Sequence, residues 1–534
     1  MHVSPLAVAF TAALLVSPAF AQSHPSLWGV LPQVETGVMD RDARERFSRP
    51  QIQSSTFVRI DAAALSMFDE SVPTRPSFSL ELGGRNRTLV LDSTERMWKH
   101  VVYRGHVDGD GHFLLAIDAA GIAGGAVEVD GERYAIEYTG FGPTHVVYGL
   151  DHDRMPEHMG CGVDHTHEVA AAGSAGQASL TSTTVPAIDV ACFYTPAARQ
   201  GGGGNAGMES TLVARISLAT DSSARSGVNH RFRLVYTAET NYTETGTTTD
   251  LSRFRSTTNR HMPEVHGDRN TYGADLMCLI IEQSSQFCGV AYLMTNESTG
   301  FASSAFGVTV RGCLDSDTLT HEMGHNMGCS HDRQNANSAV RPYAFGFRTS
   351  DDRFRTIMAY APGSRVSVWS SPNVFQGSYA MGTATEDNAR SLNEVTPTIE
   401  SFRPMTTYDW TAHGGGVPAI LPGLGGIEPL LLGSGTVSAA RDVEVRITNV
   451  FPGRSGALLI GAGGQNLPLF GGVLVPFVFD AIPVTISQQT PFIYNANLVR
   501  TLAPGADVYF QAWFVEQLGP QGFAASDAIS VQTF

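Results

Sequence analysis

Three histidines and a glutamate lie close together in the segment HEMGHNMGCSHD, residues 321–332. His321 and His325 are four positions apart, so on a helix both imidazoles project from the same face, one turn apart. Both can then bind one metal ion at about 2.0–2.1 Å. Gly328 stands where this helix must end in a sharp turn, which glycine permits, and the turn returns His331 as a third ligand. The spacing therefore predicts a metal site built from one helix and the turn after it.

Glu322 directly follows the first of these histidines and is predicted to act as a general base. Three protein ligands leave the fourth position of a zinc ion open for water, which is typical of catalytic and not of structural sites. Zinc lowers the pKa of that water to about 7, and Glu322 would accept its proton during attack on a peptide carbonyl. We expect one catalytic Zn²⁺. Ca²⁺ is compatible with the sequence, but no pattern in it identifies a calcium site.

A methionine-containing segment, RTIMAYAPG, follows at residues 355–363. The pattern HExxHxxGxxH followed by such a turn resembles the metzincin clan of zinc peptidases. Asp332 after the third histidine resembles the reprolysin branch, and strings such as IDVACFYTPAAR, YGADLMCLIIE and TIMAY are similar to the bacterial peptidyl-aspartate metalloendopeptidases. The resemblance covers about residues 187–404, with a fainter propeptide likeness before them.

The resemblance implies roles for several further residues. Met358 should form a hydrophobic floor beneath the zinc ligands without binding the metal. Tyr360, two positions later, matches branches in which a tyrosine hydroxyl moves on and off the zinc and assists the oxyanion; a packed aromatic side chain is the alternative. Trp369 and Pro372 are expected to line the primed side of the substrate cleft, and residues 300–311 to offer an edge strand to the substrate backbone.

The family resemblance also implies cleavage on the amino side of aspartate, which would be a preference for acidic P1′ residues. The sequence does not single out the cation that would bind such a side chain. The candidates are Arg348, Arg353, Arg355 and Arg365.

The first 21 residues have the features of a secretory signal. An apolar run from Leu6 to Val16 precedes the triplet Ala19-Phe20-Ala21, which predicts cleavage between Ala21 and Gln22 and a secreted, extracellular protein. The run is too short to anchor the chain in a bilayer, and no later stretch has 18 consecutive apolar residues.

Cys161 lies at the end of the expected propeptide, before a small, polar stretch at residues 170–186 that has the composition of a linker. A free thiolate at Cys161 could bind the open zinc position at about 2.3 Å and exclude water, until cleavage in the linker removes it. The alternative is a disulfide that joins the propeptide to the catalytic domain.

The remaining cysteines are Cys192, Cys278, Cys288, Cys313 and Cys329. Cys192 and Cys278 fall within apolar strands and are expected to be buried thiols. A disulfide is expected among the three that surround the active-site helix, and Cys313–Cys329 is one pairing that would close a loop across it. The sequence does not fix the connectivity.

Apolar periodicity divides the chain into regions. We predict a signal peptide at residues 1–21, a β-rich propeptide with its linker at 22–186, a catalytic domain at 187–404, a Gly/Pro-rich linker at 405–426 and a β-sandwich-like accessory domain at 427–534. Strands alternate with helices in residues 187–404, including a helix from Asp317 to Gly328, so this region should be an α/β domain of the zincin-like (metzincin) type.

The formal net charge of −16 argues against a nucleic-acid partner, and the expected partners are protein or peptide substrates. The oligomeric state cannot be read from the sequence. The predicted function is that of a secreted zinc endopeptidase made as a zymogen. The alternatives are a non-catalytic adhesin on the same scaffold and a zinc amidase of small molecules. The intact Glu322 argues against the adhesin, because a scaffold without activity does not need the base.

Overall fold

The computed structural model describes most of the chain, with gaps at both ends and in connecting segments. The described residues are 24–31, 47, 49–66, 75–151, 154, 161–164, 186–258, 260–336, 338–403, 411–412, 419–421, 425–427, 429–434, 443–448, 450, 453–486, 492–496, 506–517 and 519–532. The predicted signal peptide and nearly all of the predicted linker at 170–186 lie outside them.

A nine-stranded antiparallel sheet and a short helix, α1 (Ala62–Ser66), form the N-terminal region. The order of the strands is β1-β2-β9-β8-β7-β6-β5-β4-β3, so most neighbours in the chain are neighbours in the sheet. The prediction of a β-rich N-terminal region is confirmed. The strands are β1 (Trp28–Val30), β2 (Ile52–Ile60), β3 (Ser77–Leu82), β4 (Arg85–Met97), β5 (His100–Val107), β6 (Gly111–Asp118), β7 (Ala123–Val129), β8 (Glu132–Tyr138) and β9 (Thr144–Leu150).

Residues 187–403 contain a six-stranded mixed sheet, order β10-β14-β15-β13-β11-β12, whose first strand comes from the preceding segment. β11, β12, β13 and β15 run parallel, β14 is antiparallel to β15, and β10 is parallel to β14. Every residue of β11 and β13 is buried, as expected for central parallel strands covered on both faces. The strands are β10 (Cys161–Asp164), β11 (Ala187–Tyr194), β12 (Arg231–Glu239), β13 (Leu276–Ile281), β14 (Gly289–Tyr292) and β15 (Phe306–Val310).

Six α-helices and three short strand pairs complete this region among the described residues. The helices are α2 (Pro196–Gly201), α3 (Asn205–Arg225), α4 (Thr247–Arg255), α5 (Val265–Tyr272), α6 (Thr318–Asn326) and α7 (Asn388–Ile399). The pairs are β16 (Ser330–Asp332) with β17 (Phe345–Gly346), β18 (Phe354–Arg355) with β19 (Ser364–Arg365), and β20 (Ser371–Gln376) with β21 (Tyr379–Met381). The helix predicted between Asp317 and Gly328 is confirmed as α6.

The C-terminal region is also β-rich, as predicted. A six-stranded sheet and a three-stranded sheet contribute to one hydrophobic cluster, in which Val445 and Ile447 of the smaller sheet meet Leu458 and Phe510 of the larger one. The strands are β22 (Thr411–Ala412), β23 (Ala419–Leu421), β24 (Gly425–Ile427), β25 (Leu430–Ser434), β26 (Val443–Thr448), β27 (Ser455–Leu469), β28 (Gly472–Thr485), β29 (Phe492–Ala496), β30 (Asp507–Val515), β31 (Phe523–Ala525) and β32 (Ile529–Gln532).

The N-terminal sheet packs directly on the catalytic region. Successive residues of β6 point to opposite faces of the sheet. Phe113 and Leu115 belong to the core of the N-terminal region, whereas Leu114 and Ala116 belong to the core that also contains α3 and the central strands. The two regions therefore share a continuous apolar interface.

Charged side chains of both regions meet at the start of α6. Arg133 Nη1 of the N-terminal sheet lies 2.9 Å from Asp317 Oδ2, and the Tyr148 hydroxyl donates to Asp315 Oδ2 at 2.5 Å. Asp315 also pairs with Arg215 of α3. Arg133, Tyr148, Arg215 and Asp315 are buried and Asp317 is nearly so, so separation of the two regions would leave several charges without partners.

A disulfide joins Cys288 and Cys313. Cys329 is a buried free thiol, so the pairing of Cys313 with Cys329 was wrong. The reason is tertiary: Cys288 directly precedes β14 and Cys313 closely follows β15, and these two strands are neighbours in the sheet. Cys192 and Cys278 are free and buried, as predicted, and they lie opposite each other on β11 and β13.

In the part of the chain that the structure describes, no helix combines the length and the apolar character needed to cross a membrane.

Candidate active site

Helix α6 and the turn after it place the three histidines. The helix is buried along its whole length, from Thr318 to Asn326. The helix ends at Asn326, and two residues later Gly328 has a φ of +85°, in the region that favours glycine. A Cβ at this position would lie 3.0 Å from the carbonyl oxygen of Met294, so the space is also closed to a side chain. The turn then directs strand β16, which carries His331, back beside the helix.

The three imidazoles converge on one point. The Nε2 atom of His331 lies 3.0 Å from that of His325 and 3.1 Å from that of His321. All three side chains are buried. Three nitrogens bound to one tetrahedral zinc at 2.0–2.1 Å would be about 3.3 Å apart, so the observed spacing fits a common metal ion.

Backbone carbonyls fix the orientation of two of these rings. Nδ1 of His321 lies 2.8 Å from the oxygen of Ile357, and Nδ1 of His325 lies 2.9 Å from the oxygen of Cys329. A carbonyl only accepts, so each Nδ1 must carry the proton and, in a neutral ring, each Nε2 presents a lone pair. Both lone pairs are then available to bind a cation between the rings.

The electrostatic environment keeps His321 neutral. Burial lowers the pKa of its imidazole well below the usual value, and positive charge on His325, His331 or Arg365 would lower it further. A neutral imidazole is the form that binds a metal, so the site does not have to lose a proton from His321 before it binds an ion.

Glu322 lies in a pocket made by two glycines of the neighbouring strands. A Cβ on Gly289 of β14 would overlap Glu322 Oε1 and lie 2.7 Å from its Cδ, and a Cβ on Gly307 of β15 would lie 3.3 Å from the Glu322 Cβ. The carboxylate therefore occupies space that exists only because position 289 has no side chain. Sequence reasoning missed both glycines. Their presence in CGVAYL and FGVTV, between β-branched and apolar residues, was the available signal.

The segment around Met358 packs under α6. Met358 has no exposed surface, and its Sδ would lie 2.8 Å from a Cβ on Gly324, between the first two histidines. The same segment supplies the Ile357 oxygen that holds His321, and its Tyr360 amide donates to Asp332 Oδ1 at 3.1 Å. The segment thus braces both the helix and the returning turn.

Three further residues that the sequence singled out, Tyr360, Trp369 and Pro372, lie in different surroundings. The Tyr360 ring packs against that of His331, with centroids 4.1 Å apart. Trp369 has no exposed surface and its indole donates to Ser223 Oγ, so it lies in the core beneath α6 and not on a substrate wall. Pro372 is half-buried in β20.

Among the strands of residues 187–403, β14 is the outermost strand on the side of the active site. The expectation that residues 300–311 form this edge was wrong. β15 lies inside the sheet between β14 and β13, because the chain reverses direction from β14 to β15 and then pairs with the parallel strands. Strand β10 lies along the outer side of β14, with the backbone of Cys161 opposite Gly289. The side chain of Cys161 lies outside the described part.

Comparison with known proteins shows a likeness to metallopeptidases. Residues 182–370 match the family model described as Metallo-peptidase family M12, Reprolysin_5. The peptidyl-Asp metalloendopeptidase of Stenotrophomonas maltophilia (strain K279a) is 29% identical over 431 residues, which cover 75% of this chain and 94% of that protein. The protein of the same name from Xanthomonas campestris pv. campestris is 28% identical over 399 residues, 69% of this chain and 90% of that protein.

Among solved structures, metalloproteinase-II from Bacteroides fragilis aligns with 51% of this chain and 84% of its own, at 13% identity and a TM-score of 0.34, a likeness too weak to bear on the fold. The sequence matches define the chain as a metalloendopeptidase. Its residues 182–370 form a reprolysin-like domain of family M12, and its named relatives over most of its length are bacterial peptidyl-Asp metalloendopeptidases.

Substitution of Gly289 by alanine tests the geometry around Glu322. The added methyl group would overlap the carboxylate and displace it, so we expect peptide hydrolysis to fall by about 10²–10⁴-fold, the contribution of a positioned general base. Bound metal should stay at the wild-type level. Gly267→Ala is the matched control, since a Cβ there meets nothing within 4 Å. Equal activity of the two variants would contradict this placement of the base.

Proposed function

We propose that the chain is a secreted zinc endopeptidase of the metzincin type, made as a zymogen, with Glu322 as its general base. The observation that carries the proposal is the convergence of three buried imidazole nitrogens, with Nε2 of His331 3.0 Å and 3.1 Å from those of His325 and His321, and with Glu322 next to His321 in the same helix. His321, His325 and His331 would hold the ion. A zinc ion held there would act as a Lewis acid and lower the pKa of a water to about 7.

Glu322 would move the protons of the reaction. Its carboxylate lies beside the backbone of β14 at Gly289, where an extended substrate would pass the site. There it can accept a proton from the attacking water and deliver it to the leaving amine. Burial excludes bulk water from the carboxylate, which strengthens its interaction with the reacting groups.

Tyr360 is proposed as a hydrogen-bond donor to the oxyanion, or as a further zinc ligand. Its ring lies against His331 and is partly exposed, which leaves it near the ligand set. The same contact also suits a packed aromatic side chain, the alternative given above.

The position of β10 supports the zymogen part of the proposal. This strand belongs to the segment before the predicted linker and pairs with β14, the edge that a substrate would use. Cys161 begins β10, opposite Gly289, so its backbone is next to the strand that borders the Glu322 carboxylate. The N-terminal sheet also holds the start of α6 through Arg133 and Asp317. We propose that cleavage after β10 frees the edge and removes Cys161 from the metal site.

A non-catalytic adhesin on the same scaffold is the alternative function. The presence of Glu322 argues against it, because an adhesin does not need a general base. The named relatives are endopeptidases that carry Asp in their names, which supports an acidic P1′ preference as part of the proposal. Extracellular location rests on the predicted signal peptide, which lies outside the described residues.

Substitution of Glu322 by glutamine tests the catalytic proposal. Without a base to accept the proton, casein hydrolysis should fall by about 10²–10⁴-fold. Zinc content, measured by mass spectrometry of the purified protein, should stay near one ion per chain, because the three ligands are unchanged. A chelator should abolish wild-type activity and readdition of zinc should restore it. A variant as active as wild type, or a wild type without proteolytic activity, would contradict the proposal.

Substitution of Cys161 by alanine tests the zymogen proposal. If the thiolate blocks the metal, X-ray absorption at the zinc edge of the unprocessed wild type should show a sulfur ligand at about 2.3 Å that the unprocessed Cys161→Ala precursor lacks. Val163→Ala in the same strand is the control and should keep the sulfur ligand. A wild-type precursor without zinc-bound sulfur would count against a role for this thiol.

A further inference from the structure

The proposed preference for acidic side chains needs a cation close to the scissile bond, and the structure separates the four arginines that were candidates. Arg353 is exposed, and its guanidinium lies over the rings of Phe354 and Tyr379. Arg348 pairs with Asp352 through Nε at 2.9 Å. Both side chains therefore have partners within or next to the segment that precedes Met358.

Arg355 braces the backbone around Met358. Its Nη1 donates to the oxygen of Ala359 at 2.9 Å and its Nε to the oxygen of Gly363 at 2.8 Å. These contacts tie the guanidinium to the loop that supports the ligands, so its geometry suits a structural role.

Arg365 is placed differently. It lies in β19, is partly exposed, and its Nη1 donates to the oxygen of Ser316 at 2.5 Å. Ser316 directly precedes Asp317, whose own carbonyl accepts from the His321 amide at 2.9 Å. The guanidinium is therefore anchored to the backbone just before α6, five residues ahead of the first proposed zinc ligand.

We propose that Arg365 binds the acidic side chain of the residue that follows the scissile bond, and so determines the specificity of the enzyme. The inference rests on the proposed function. A guanidinium presents its donors in a planar fork that matches a carboxylate, and such a pair is strong where water is largely excluded. An aspartate side chain that enters between β19 and the start of α6 would meet this fork next to the metal site.

The charges around the start of α6 support this assignment. The catalytic region contributes Arg225, Arg365 and Asp317, and the N-terminal sheet contributes Glu128 and Arg133. Glu128 and Arg133 cancel each other, so among these described groups the catalytic region keeps one net positive charge when the N-terminal sheet is removed. A substrate carboxylate would neutralise that charge.

The test compares two peptides that differ only in Asp or Asn after the scissile bond. Full-length wild type, Arg365→Gln and Arg353→Gln are produced in parallel, and kcat/KM is measured for both peptides on the active protein recovered from each. We expect the Asp-to-Asn ratio to fall by about 30-fold or more in Arg365→Gln, the effect of removing one partner from a desolvated ion pair. Arg353→Gln, which changes the same charge at an exposed position, should keep the wild-type ratio.

If Arg365→Gln does not fold, Arg365→Lys is measured in its place. Its Asp-to-Asn ratio should also fall, since a lysine ammonium cannot form the two parallel hydrogen bonds that a guanidinium makes to a carboxylate. An unchanged ratio in the Arg365 variants, an equal loss in Arg353→Gln, or a wild type that cleaves both peptides equally would overturn the inference and leave the proposed function intact. A wild type that cleaves neither peptide nor casein would refute the proposed function itself.

Discussion

Three imidazole nitrogens converge in a buried part of the chain, with Nε2 of His331 3.0–3.1 Å from those of His325 and His321. In neutral rings the Nε2 atoms of His321 and His325 carry lone pairs, because their Nδ1 atoms donate to carbonyls, and a cation at the centre would accept these lone pairs. The rest of the catalytic region can be understood as what holds these rings in place. Gly328 lets the chain reverse, the Ile357 carbonyl orients His321, and Met358 fills the space beneath Gly324.

The same constraint explains the tight packing around Glu322. A base must reach the reacting water without becoming a ligand, so its carboxylate needs a fixed place beside the metal and close to the path of the substrate. Gly289 and Gly307 provide that place by lacking side chains, and β14 provides the edge. Strand β10 pairs with β14 along this edge, and the N-terminal sheet contacts the start of α6 through the ion pair of Arg133 with Asp317. Catalysis and its control would therefore act on the same few strands.

The sequence predicted the local parts of this site and missed those that depend on tertiary contacts. His321, His325, Gly328 and His331 follow from helical spacing and a positive φ, which are properties of neighbouring residues. The partner of Cys313 and the identity of the edge strand depend on how β14 and β15 pair, and apolar strands do not carry that information. The serine and valine residues around Trp369 did not reveal that its indole would be buried against α3. The contact of the Ile357 carbonyl with His321 could not be predicted from the sequence, because every residue has a backbone carbonyl.

X-ray absorption at the zinc edge of the purified, processed protein tests the central claim most directly, because it reports the atoms bound to the ion. The structure predicts one zinc per chain with three imidazole nitrogens at about 2.0–2.1 Å and one oxygen from water. A protein that binds no zinc, or a zinc whose shell holds fewer than three imidazoles, would contradict the account.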